Sequence, residues 1–85
     1  MLTWAYGITT VPERFGSLLP ATIDSLSLAG FDRPVLFVDG EIDGYANLDV
    51  ICHPRVGQLH NWLTGLFWLY TTTTRADRYA IFEDD

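Results

Sequence analysis

Residues 34–40 read PVLFVDG. Four apolar residues in succession, closed by Asp-Gly, do not alternate as a strand wetted on one face would. A run with no polar side suits a strand buried on both faces, and such strands belong to parallel sheets covered by helices above and below. The chain of 85 residues must then alternate strands with helices, the α/β pattern.

The remaining segments fit that demand. Residues 4–8 are an aromatic and aliphatic run that suits a strand. Pro12 opens a short turn around residues 14–18, where its missing N–H costs little and Glu13 suits the positive end. A helix is expected over residues 20–29, with Leu19, Ile23 and Leu26 on one face and Gly30 as its left-handed stop. A polar loop at 41–47 leads to a weaker strand at 48–52. From Gly57 the period turns helical, with Leu59, Trp62, Leu63, Leu66 and Tyr70 on the expected core side; Phe67 and Trp68 widen it. Trp62, Phe67 and Trp68 read as core rather than as a stacking platform. Residues 71–74, all threonine, read as a helix end or loop, and residues 79–82 as the last strand. The order β-α-β-β-α-β predicts one Rossmann-like α/β domain with a mostly parallel sheet.

Bulk properties exclude several classes. A hydrophobic share of 48% is too high for a disordered chain. Eleven acidic residues against five basic give a formal charge of -6, which argues against nucleic-acid and anionic-membrane partners. No segment is long and apolar enough to span a bilayer, and residues 1–10 lack the basic start and apolar core of a secretion signal. One cysteine, Cys52, forms no intrachain disulfide, and with His53 and His60 it lacks the paired spacing of a metal finger. A cytoplasmic setting is the expectation.

In parallel α/β sheets, ligands sit beyond the carboxyl ends of the strands. Those positions here are Thr9-Thr10, Asp39-Gly40, His53 and Glu83-Asp84-Asp85. Alternation at a strand end would aim Glu83 and Asp85 at one hard cation, Mn²⁺ or Mg²⁺, with Asp84 pointing elsewhere. The same three letters also describe a solvated acidic end. Asp39 either accepts a hydrogen bond from a base or ribose, or is the Asp of an ordinary Asp-Gly turn. As a residue ending a strand, its removal is expected to change stability little. Arg14 either pairs with phosphate or is a solvated helix residue. Asn61 in an apolar helix needs a partner if buried. His53 and His60 read as structural or exposed. The first strand-to-helix turn, GITTVPERFG, has no Gly-rich phosphate loop of either common type, so carboxylate-held metal would have to offset any phosphate charge.

Taken in order, these pieces resemble the N-terminal, nucleotide-sugar-binding half of GT-A-fold glycosyltransferases of the family 2 type. ITTVPER at residues 8–14 is similar to the opening strand and turn that hold the nucleotide, and LFVDG at 36–40 to the second strand with its base-contacting Asp. RVGQLHNW at 55–62 resembles the Gly-x-x-x-Asn helix start, and YAIFEDD at 79–85 the strand delivering the D-x-D motif, here with Glu first. The resemblance implies a metal-dependent transferase using a nucleotide diphosphate sugar, most simply a UDP-sugar, with an acceptor hydroxyl. It implies Asp85 as main metal ligand with Glu83 assisting, and Asp84 as a ribose or metal-shell contact. Thr9, Thr10, Asp39 and Gly40 would line the nucleotide pocket with Arg14 and Asn61. Family members continue past D-x-D into an acceptor-binding half that supplies the catalytic base. Residues 1–85 are therefore expected to be the donor-binding part of a longer enzyme, inactive alone and prone to self-association. The alternative from another class is a non-catalytic α/β nucleotide-binding or assembly module.

Overall fold

The computed structural model describes residues 2–73 and 76–84. The elements are β1 (Trp4–Thr10), a 3-10 turn (Pro12–Arg14), α1 (Leu18–Leu28), β2 (Val35–Asp39), β3 (Val50–His53), α2 (Gln58–Thr72) and β4 (Arg78–Glu83). Four strands form one sheet in the order β3-β2-β1-β4, and every pairing is parallel. The expected α/β class with a parallel sheet is what the chain adopts.

The run that opened the sequence reading behaves as required. Leu36, Phe37, Val38 and Asp39 are all buried, and they alternate between two cores. Leu36 and Val38 join Ile8, Leu19 and Leu26 on the α1 side, while Phe37 joins Ala5 and Leu69 on the α2 side. The helices thus cover opposite faces.

Helix α1 begins two residues before the expected start at Pro20. Its first turn has no intrahelical partners for its N–H groups, so proline there loses nothing. It ends as anticipated, with Gly30 at φ 99°; Phe31 N–H donates to the Leu26 carbonyl and Gly30 N–H to that of Ser27, a Schellman closure.

Helix α2 departs from expectation. The face packed on the sheet is Asn61, Gly65 and Leu69, whereas Leu59 and Phe67 are each 70% exposed, with Leu63 and Tyr70 also exposed. Trp68 packs against the core, but Phe67 does not. The cause is the Phe37 ring. A Cβ on Gly65 would lie 2.8 Å from it, and one on Gly7 would strike the same ring and sit 2.7 Å from the Val35 carbonyl oxygen. Two glycines make the slot for one phenyl group. The helix can approach closely only along its Asn61-Gly65 ridge, positions that a hydrophobic period scores as solvent-facing.

Gly65→Ala is accordingly expected to destabilise the chain by about 1–3 kcal/mol through overpacking. Gly16→Ala, where an added Cβ meets nothing within 4 Å, should stay within about 0.5 kcal/mol of the parent. Urea denaturation of both variants checks the contrast.

Candidate functional site

Strand order reverses at β1: the chain steps from β1 through β2 to β3, then crosses to β4 on the other side. Such a reversal leaves a crevice at the carboxyl ends of the two flanking strands. Here the crevice lies between Thr10, ending β1, and Asp84, following β4.

It is bridged by polar contacts. Asp84 is buried, and its carboxylate accepts from the Thr10 hydroxyl on one oxygen and from Arg14 Nη1 at 2.8 Å on the other. Arg14 reaches it from the Pro12–Arg14 turn and remains 30% exposed. Thr9 is buried, its hydroxyl 3.4 Å from the Phe82 carbonyl oxygen. Asp84 therefore points inward and Glu83 to the other side, where it accepts from Gln58 Nε2 at 2.8 Å.

At the end of β2, Asp39 is 4% exposed. Its Oδ1 accepts from Val56 N–H at 2.7 Å and its Oδ2 from Gly57 N–H at 3.0 Å. The carboxylate pins the chain just ahead of α2 and lies at that helix's positive end. This overturns the expectation that removing Asp39 leaves stability unchanged: two buried hydrogen bonds to a charged acceptor would be lost. Gly40 follows at φ 138°, and a Cβ there would also lie 3.0 Å from Pro12, so this turn requires glycine. Gly40 N–H donates to the His53 carbonyl at 3.0 Å.

Asn61 is buried with both side-chain ends partnered: its Nδ2 donates to the Phe37 carbonyl at 2.8 Å, and its Oδ1 lies 2.9 Å from His53 Nε2. His53 is thus structural, as the sequence suggested. Outside, Arg55 Nη2 donates to Glu13 Oε1 at 2.8 Å. That hydrogen bond holds the exposed Glu13 carboxyl below the usual carboxylate range and raises the Arg55 guanidinium.

Thr9, Thr10, Arg14, Asp39 and Asn61 line one small cleft together with Val11 and Gln58. Five of the expected residues are therefore brought together. Gly40, Glu83 and Asp84 do not line the cleft, although Asp84 holds two of its walls and Glu83 is held by a third. Gln58 was missed; its signal was its place as the first helical residue after Gly57, where a side chain overhangs the strand ends. The cleft encloses about 50 Å³, room for a few waters and not for a nucleotide without movement of its rim.

Asp85, the expected principal metal ligand, lies outside the described residues. Among the described residues no group of three or more His, Cys, Asp or Glu is placed to hold a metal ion. In the acidic run at the end of β4, the described residues offer one exposed hard carboxylate, Glu83, of a type suited to Mg²⁺ or Mn²⁺. Among the described residues, no helix is long and apolar enough to cross a membrane.

Comparison with protein-family models, with curated proteins and with solved structures finds no match to this chain.

Proposed function

We propose that this chain binds the nucleotide diphosphate sugar donor of a metal-dependent glycosyltransferase of the GT-A kind, a UDP-sugar by preference. One observation supports this above others. Thr9, Thr10, Arg14, Asp39 and Asn61, from three separate parts of the chain, meet at the carboxyl edge where strand order reverses, and the acidic run 83–85 begins beside them. Arg14 is the phosphate partner in this reading, and Asp39 with Thr9 and Thr10 the nucleoside wall. Glu83 and Asp85 would hold Mn²⁺ or Mg²⁺, which when bound would offset charge on the leaving diphosphate. Asp84 acts by holding Arg14 and Thr10 in place rather than by touching the ribose. The reading assigns donor binding to these residues and no catalytic base; transfer to an acceptor hydroxyl needs one.

A second reading, a non-catalytic nucleotide-binding or assembly module, draws on different observations. Asp39 and Asp84 spend both oxygens on internal partners, and the cleft is small. The exposed Leu59, Leu63, Phe67 and Tyr70 beside β4, an outer strand among the described residues, belong instead with the first reading, in which the donor-binding part self-associates through an unpaired edge next to an apolar patch. Sedimentation over a concentration series should show growing species, whereas a monomer throughout would favour the self-contained module.

Calorimetric titration tests the metal-dependent donor site. UDP with Mn²⁺ should bind the parent chain weakly and Asp85→Ala not detectably. Equal binding by both chains would count against the metal site. Asp39→Ala should lose about 1–3 kcal/mol of nucleotide affinity, alongside a comparable loss of stability because of its bonds to Val56 and Gly57.

A further inference from the structure

At the junction of β2, β3 and α2, the hydrogen-bond count depends on a proton. Asn61 Nδ2 donates to the Phe37 carbonyl at 2.8 Å. That contact fixes the amide, because turning it over would set two oxygens against each other. The Asn61 Oδ1 must then face His53 Nε2, 2.9 Å away, and as an acceptor it requires an N–H there. The other ring nitrogen, Nδ1, lies 2.8 Å from the Pro54 carbonyl oxygen, which also only accepts. A neutral imidazole carries one N–H and the imidazolium carries two.

We propose that His53 is a proton-operated clamp: as imidazolium it donates to Pro54 and Asn61 at once, locking the 54–57 loop onto α2, and on losing a proton it releases one of them. Whichever nitrogen gives up its proton, one acceptor is left facing a lone pair. The ionisable group facing the ring from β2 is Asp39, whose Oδ1 is 3.9 Å from Nδ1 and already accepts from Val56 N–H. From α2 the facing group is the uncharged Asn61. In the loop, Arg55 is turned onto Glu13. The clamp therefore closes when the ring holds both protons and opens when it loses one. Because Asp39 and Asn61 both line the cleft, the cleft walls follow that proton whatever ligand they serve. The proposal does not rest on the nucleotide-sugar reading.

Nuclear magnetic resonance of the whole chain between about pH 5 and pH 8, a window bracketing imidazole titration, tests it. The backbone amide of Gly57 and the side-chain amide of Asn61 should move with the midpoint of the His53 ring. In His53→Gln both should lie flat over that range. At the acid end of the parent series, both His53 ring N–H protons should be visible and slow to exchange, a measurement that needs no variant to fold. The proposal fails if Asn61 and Gly57 stay still while His53 titrates, if their movement persists in His53→Gln, or if fewer than two His53 N–H protons are protected at low pH.

Discussion

Replacing Phe37 with alanine is expected to cost about 3–5 kcal/mol, the range for deleting a buried aromatic ring. Phe37 is 1% exposed, sits between Gly7 of β1 and Gly65 of α2, and stacks edge-on with Trp68 at 5.8 Å. A chain of 85 residues has roughly 4–13 kcal/mol in total at ordinary stability per residue. Phe37→Ala therefore removes a large share, and the urea midpoint should fall accordingly. The glycine slot makes a sharper statement. In the Phe37→Ala background, Gly65→Ala no longer meets a ring and its methyl begins to fill the hole. The two changes together should cost less than their separate sums, with a coupling of about 0.5–3 kcal/mol. Simple additivity would mean that the ring is not what keeps position 65 small.

Arg14→Ala is expected to have an effect of similar size, about 3–5 kcal/mol, because it strips the cation from a carboxylate whose side chain is fully buried. Asp84→Ala should cost less, about 1–3 kcal/mol, since Arg14 keeps 30% exposure and can turn to water. The double variant should recover part of the Arg14→Ala loss, because no buried charge is then left alone. Thermal or urea denaturation of the three variants measures this. An Asp84→Ala loss equal to or above that of Arg14→Ala would mean that the carboxylate acts chiefly through other partners.

Some of this was legible from residue order. PVLFV could only be satisfied by burial on both faces, and that one demand led to a parallel sheet with helices on either side. Gly30 stopped α1 where a left-handed residue was needed. The strand ends, and hence Thr9, Thr10, Asp39 and their neighbours, followed from the same pattern, because a parallel sheet sends its carboxyl ends to one edge.

What was not legible depends on contacts between distant residues. The inward face of α2 is set by Phe37, whose backbone carbonyl accepts from Asn61 24 residues later and whose ring fills the space left by the absent side chain at Gly65. A hydrophobic period counts neither a missing side chain nor a buried amide with partners. It therefore chose Leu59, Leu63 and Tyr70, which are exposed. The locking of Asp84 by Arg14 spans 70 residues, and nothing local distinguishes an aspartate held beneath a guanidinium from one open to a ligand. Asp39 likewise reads as a turn former or a ligand contact. Only the approach of Val56 and Gly57 shows that it also anchors the start of α2.

The carboxyl edge of the sheet is proposed to take a nucleotide diphosphate together with a divalent cation. Amide resonance spectra of the chain with UDP alone, Mg²⁺ alone and both together address it most directly. Thr10, Asp39, Asn61 and Glu83 should shift when UDP and Mg²⁺ are both present, and little with either alone. No shift at those residues, or an equal response to UDP when Mg²⁺ is removed by a chelator, would contradict it.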